Sequence, residues 1–135
     1  MSYIGNVSFS SAATGPISTR GRHLLLELHG CKRDALVDSV ALERVLRRAA
    51  ELANVQVMCV CFHQFPAGGV TGVLVLAESH ISIHTWPEHQ YAAVDFFTCG
   101  EGKPENGIEC LRAGLGAVEI QSLVVVRGAS SEFGQ

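Results

Sequence analysis

The stretch LAESHISIHTWPE, Leu76 to Glu88, sets a carboxylate, a hydroxyl and two imidazoles directly behind an apolar run. A strand that only packs would carry apolar residues or a bland polar alternation there. Period-two alternation puts His80, Ser82, His84 and Trp86 on one face and Ile81, Ile83 and Thr85 on the other. One face is therefore reactive and the other apolar. Metal binding by His80 and His84 fails on distance. Residues four apart on a strand lie about 13 Å apart, whereas zinc holds each ligand at about 2 Å. An ion would need cysteines from elsewhere in the chain, so no metal is expected. A serine hydrolase would want a Gly-x-Ser-x-Gly elbow, but Ser79 is flanked by Ala77-Glu78 and His80-Ile81. Glu78-Ser79 precedes His84 by a short stretch of strand, and Cys99 lies twenty residues beyond Ser79.

The elements that must carry these residues are legible from periodicity. HLLLELHG, His23 to Gly30, reads as a strand bounded by glycine. Leu42, Val45, Leu46, Ala49, Ala50 and Ala53 recur at helical spacing, with Glu43, Arg44, Arg47, Arg48 and Glu51 opposite, so an amphipathic helix is predicted. Asp38 or Ser39 is its N-cap. Further strands are predicted at Val55–His63, Val70–Ala77, His80–Trp86, Tyr91–Thr98 and Val118–Val126, with PAGG (Pro66 to Gly69) as a hairpin turn. A second helix runs from Pro104 to about Leu115, weakened by Gly107 and Gly114.

About six strands and two helices make an α+β fold, a two-layer sandwich with a mainly antiparallel sheet and helices on one face. VLVLA is apolar on both faces, yet two helices cover only one. The other face is expected to pack in a homodimer, with the active site near that interface. The 135 residues suit a single domain, with a polar lead-in over 1–22 and a loose tail over 128–135. Net charge is −3 and no basic cluster is longer than Arg47-Arg48, which argues against nucleic acid or an anionic membrane as partner. No apolar run reaches membrane-spanning length, and the first twenty residues lack the basic start and apolar core of a secretory signal. Five cysteines without CxxC spacing point to a reduced, cytoplasmic setting, with Cys59 and Cys61 sharing one strand face as small hydrophobes.

The run ESHISIHTWPEHQYAAVDFFTCG, Glu78 to Gly100, resembles the hallmark of the prokaryotic S-adenosylmethionine decarboxylase proenzymes, a pyruvoyl-dependent, self-cleaving family. The likeness continues through FHQFPAGGVTGVLVLA and HLLLELHGC, covering about His23 to Arg127. It implies that the Ser79 hydroxyl attacks the Glu78 carbonyl and turns the amide into an ester. Elimination then releases a β chain of residues 1–78, and the residue left at 79 loses ammonia to become a pyruvoyl group on an α chain of residues 79–135. No external cofactor is implied. The pyruvoyl ketone would form a Schiff base with the substrate amine and draw in electrons as carbon dioxide leaves.

By the same resemblance His84 accepts a proton during processing, and Cys99 returns one to the substrate during decarboxylation. Thr71 stands where the family often has a serine that assists processing. Phe65 and Trp86 match the aromatic residues that stack on the substrate, and Glu88 the carboxylate that binds ribose hydroxyls. Each has a plainer alternative: a structural histidine, an inert core cysteine, core-filling rings, an exposed turn glutamate. The implied function is decarboxylation of S-adenosylmethionine to the aminopropyl donor for spermidine, by a homodimer of cleaved αβ protomers. Two alternatives stay open. One is a pyruvoyl-dependent arginine or ornithine decarboxylase; the other is an uncleaved, non-catalytic partner protein.

Overall fold

The computed structural model describes residues 20–128. Six strands form one sheet: β1 (Gly21–His29), β2 (Val57–Gln64), β3 (Val70–Leu76), β4 (Ser79–Trp86), β5 (Tyr91–Cys99) and β6 (Glu119–Arg127). The order across the sheet is β2-β3-β4-β5-β1-β6, and every neighbouring pair is antiparallel. Three helices, α1 (Arg33–Leu36), α2 (Ser39–Leu52) and α3 (Ile108–Leu115), complete an α+β sandwich. The expected meander holds for β2 to β5. The first strand then inserts between β5 and β6, a long-range pairing that no local pattern announces.

Alternation sorts the strands cleanly. Leu24, Leu26, Leu28, Ile81, Ile83 and Phe96 are all at most 1% exposed and point toward the helices. α2 meets them with Leu42, Leu46, Ala49 and Ala50. Asp38 caps this helix, its side chain accepting a 3.0 Å hydrogen bond from the Ala41 amide. The opposite stripe is the expected solvated face: Arg47 pairs with Glu43 at 2.8 Å, and Arg48 pairs with Glu51.

Several expectations need correction. The second helix is split into a 3₁₀ turn at Pro104–Gly107 and then α3. Proline at the start cannot donate an amide hydrogen, and a Cβ on Gly107 would sit 3.0 Å from the Ala49 side chain, so the turn lies hard against α2. The short α1 was not expected. Gly21 and Arg22 belong to β1 and not to a lead-in; the rest of that segment, and the tail after residue 128, lie outside the described residues. Cys59 and Cys61 do share a face, but both are exposed, because β2 is an edge strand and that face is uncovered.

Thr85 ties the β3–β4 end of the sheet to the helical layer. Its Oγ1 accepts from the Val70 amide at 2.9 Å and donates to the Leu36 carbonyl at 2.8 Å, and the residue is 6% exposed. Thr85→Val keeps the shape and strands both backbone groups, so it is expected to lower stability by about 1–3 kcal/mol, read as a reduced midpoint in urea unfolding.

Candidate active site

The face of β4 that the helices leave bare carries His80, Ser82, His84 and Trp86, whereas Ser79 pairs with buried Leu76 and opens the strand on the helical side. The candidate residues form two groups at opposite ends of the strand. Ser79 opens β4, directly after a two-residue connection from Leu76, which pairs with it. Its hydroxyl donates to the Ala77 carbonyl at 3.3 Å. Glu78, on the upstream side of the candidate scissile bond, has φ of 63°. A non-glycine residue there carries about 1–2 kcal/mol of steric strain. The β4–β5 ladder ends with His80 opposite Phe97, and Cys99, two residues further along β5, lies near enough to the β3–β4 turn to feel the Glu78 charge. Burial pushes the Cys99 thiol up, the Glu78 charge pushes it further, and Arg127 opposes both, so the group is held as a thiol at neutral pH. A protonated sulfur beside a strained peptide can donate a proton.

The second group lies at the far end of β4. Thr71 and His84 are cross-strand partners, with Thr71 Oγ1 3.1 Å from His84 Nδ1. His84 and Trp86 have ring centroids 6.3 Å apart. Trp86 stacks on Tyr91 at 5.2 Å and 22°, and Tyr91 stacks in turn on His29 at 5.2 Å and 20°. Tyr91 is anchored by its hydroxyl donating to Glu27. Phe65 sits in the β2–β3 hairpin, its ring edge-on to His63 at 4.6 Å. That hairpin closes tightly on the end of β4: a Cβ on Gly69 would meet the Thr85 carbonyl oxygen at 2.8 Å. Glu88 is exposed in the 3₁₀ turn Pro87–His89. Phe65 and Trp86 are 47% and 40% exposed, so neither ring is core filling.

The two groups do not meet within one chain. Ser79 and His84 are five residue steps apart along the strand, roughly 16 Å at strand rise. The expected proton transfer between them is out of reach in a single protomer. Between the groups lies a cavity of about 260 Å³ on the bare face, lined by Leu25, Glu27, Ser82, His84, Tyr91 and Asp95. This is below the roughly 300–1,000 Å³ of small-molecule sites. A larger hollow of about 760 Å³ lies on the helical side, around Arg44, Val45 and Cys110, and holds none of these groups.

Sequence reasoning missed a third cluster beside Ser79. His23 Nε2 and His80 Nε2 both donate to Asp95 Oδ2, at 2.6 and 2.9 Å, and Ser82 donates to Oδ1. Burial alone would raise the Asp95 carboxyl, but hydrogen bonds from Ser82, His23 and His80 outweigh it and hold the group below its ordinary value. The three candidate ligand atoms of His23, His80 and Asp95 lie within 4.8 Å of one another. A cation there would need the Nε2 lone pairs, which moves the His23 proton to Nδ1. Arg127 Nη1 already donates to that nitrogen at 3.2 Å. The geometry suits a proton-bearing network better than a metal site. One signal was visible in the sequence: an aspartate inside the apolar strand YAAVDFFT has to find donors.

Trp86 is the single tryptophan of the chain, so its environment is directly observable. Tyr91→Leu removes the ring beneath it. The expected result is a red-shifted emission and stronger iodide quenching than in the parent protein, with Tyr91→Phe leaving both nearly unchanged.

Comparison with known proteins identifies the family. The family model described as S-adenosylmethionine decarboxylase matches residues 22–128. A protein of Methanococcus vannielii named S-adenosylmethionine decarboxylase proenzyme is 48% identical over 109 residues, covering 80% of this chain and 89% of that one. A Moorella thermoacetica protein of the same name is 43% identical over 109 residues, covering 80% and 87%. The crystal structure of the adenosylmethionine decarboxylase from Aquifex aeolicus superposes with a TM-score of 0.77 at 35% identity, covering 87% of this chain and 98% of that one. With its six-stranded antiparallel sheet, its strained Glu78-Ser79 junction and its match from residue 22 to 128, the chain belongs to the S-adenosylmethionine decarboxylase family.

Proposed function

We propose that this carboxy-lyase family member cleaves itself between Glu78 and Ser79, turns Ser79 into a pyruvoyl group, and decarboxylates S-adenosylmethionine to the aminopropyl donor used in spermidine synthesis. The observation that carries the proposal is the left-handed Glu78 at the Ser79 junction, with the Cys99 thiol near enough to feel its charge. Cleavage releases the strain at Glu78. The Ser79 hydroxyl, at the start of β4, reaches back to the Ala77 carbonyl across the peptide it would attack. These residues fit a pyruvoyl group, which supplies an electron sink for carbon dioxide loss. The thiol of Cys99, kept protonated by burial and by Glu78, serves as the proton donor.

His84 accepts the proton that processing removes, with the Thr71 hydroxyl 3.1 Å away to hold its ring. Since His84 cannot reach the Ser79 of its own chain, the working unit is a homodimer of cleaved αβ protomers. Stacked sheets lie about 10 Å apart, closer than the roughly 16 Å along β4. Two bare faces packed about a two-fold axis bring the Ser79 end of one protomer over the His84 end of its partner. They also cover the half-formed cavity between those ends. Phe65 and Trp86 then stack on the adenine and steady the sulfonium, and Glu88 accepts hydrogen bonds from the ribose. The aromatic stack Trp86–Tyr91 favours a nucleoside substrate over arginine or ornithine, which have no ring to hold. Five free cysteines suit a reducing compartment, consistent with the cytoplasm. Among the described residues no helix is long and apolar enough to cross a membrane.

Denaturing intact-mass analysis tests the cleavage. Two chains split between Glu78 and Ser79, the downstream one pyruvoyl-capped, are expected; one full-length chain after prolonged incubation would favour the uncleaved partner protein instead. Co-expression tests the shared site. Ser79→Ala and His84→Ala chains are each expected to stay uncut alone. Together, about half of the His84→Ala chains pair with the other variant at random and should be cut. If no His84→Ala chain is cut in the mixture, the site lies within one protomer.

A further inference from the structure

Cleavage creates a positional problem at residue 79. In the uncut chain that residue is tethered covalently on both sides, and its hydroxyl reaches the Ala77 carbonyl. After the cut the upstream tether is gone, and conversion to pyruvoyl removes the hydroxyl as well. Chain ends that lack side-chain anchors fray. Yet the group at position 79 must stay aligned with Cys99, because a misplacement of about 1 Å can cost a hundredfold in rate.

The next residue along β4 is His80, through whose backbone residue 79 is joined to the strand. Its ring is fixed from the bare face by Asp95, through the 2.9 Å bond from Nε2 to Oδ2. Asp95 is fixed in turn by Ser82 and by His23. Arg127 locks the His23 tautomer by donating to Nδ1 at 3.2 Å, and its guanidinium lies 4.8 Å from the centre of the Phe97 ring. Phe97 is the cross-strand partner of both His80 and His23, with ring centroids at 5.9 and 5.3 Å. Phe97 also stands two residues before Cys99 on the same strand face, so one cluster touches both sides of the alignment.

We propose that His80, held by Asp95 and braced by His23, is a positioning residue that keeps residue 79 in register with Cys99 during and after the cut. The inference rests on the pyruvoyl reading above and assigns a task to three residues which that reading leaves idle. Nothing in it requires the net charge of Asp95. An asparagine can turn its carbonyl oxygen to both Nε2–H groups and donate its amide to Ser82, so hydrogen bonding and charge are separable.

The test follows cleavage of freshly made proenzyme by denaturing gel and mass, alongside thermal melting and steady-state kinetics of the processed fraction. His80→Leu and Asp95→Leu are each expected to slow cleavage about tenfold to a hundredfold. The double variant should be no slower than the worse single one, since the two act as a unit. His80→Gln, which restores a donor at the Nε2 position, and Asp95→Asn should recover to within about threefold of the parent rate. In the processed fraction of the leucine variants kcat should fall while KM holds, because the rings that bind substrate come from the partner protomer and His80 holds only residue 79. The inference is overturned if the parent cuts and His80→Leu matches it, if His80→Gln is as slow as His80→Leu, or if the two leucine effects simply add. A parent chain that never cuts would sink the pyruvoyl reading itself, which is a separate result. Should Asp95→Leu fail to fold, the His80→Leu and His80→Gln pair decides alone.

Discussion

A one-residue slip of β4 against β5 would turn His80, Ser82, His84 and Trp86 into the helical layer and leave Ile81 and Ile83 bare. Register is therefore the constraint on which everything else depends. It is held by the fully buried residues Ile81, Ile83 and Phe96 on one face, and by Asp95 gathering His80 and Ser82 on the other. The apolar face would be costly to expose and the ionic face costly to bury. The two costs act in the same direction, so the same pairing that completes the core also assembles the chemistry. Neither could drift without the other. The third contributor is β1, which brings His23 alongside Asp95 from 72 residues away and supplies Leu24, Leu26 and Leu28 to the core on its other side.

That long-range strand also marks the limit of what can be read from the chain alone. Strands, turns and the main helix follow from local periodicity, and the structure places them within a residue or two of expectation, because alternation and caps are short-range signals. Asp38 is legible as a cap since its task is finished three residues later at Ala41. The Pro104 segment was less legible, because its 3₁₀ turn is set by contact with Ala49 on another helix. The insertion of β1 between β5 and β6 leaves no local trace at all. Without it the partners of Asp95 cannot be named, even though an acid inside an apolar strand announces that it has some.

The candidate site shows the same division. The residue types were visible in one continuous stretch, and the motif told which chemistry they suit. What sequence order conceals is that nearness along a strand is not nearness in space. Ser79 and His84 look adjacent in a string of letters, but a strand is the most extended form a chain can take. A helix would have brought residues five apart to within a turn or two of each other; the β conformation sends them to opposite ends of the sheet. Cys99 is the converse case. It lies twenty residues from Ser79 in sequence, yet the antiparallel return of β5 brings it back to the start of β4, two residues beyond Phe97, the partner of His80.

This geometry also accounts for why a cut at residue 78 is compatible with the fold. The connection between β3 and β4 is as short as a hairpin allows, and it carries the strained Glu78. Severing it removes a loop, not a strand. The β3–β4 pairs from Thr71 with His84 to Leu76 with Ser79 remain available to join the two pieces, and both strands keep their other neighbours, β2 and β5. Leu74, Leu76, Ile81 and Ile83 stay buried beneath the helices whether or not the backbone is continuous. The gain in chain freedom is then confined to the two new ends. Of these, the Glu78 end needs no fixed position. In the enzyme proposed above the other end has to stay in register, and it is the one that begins a residue away from the cluster of Asp95, His23 and His80.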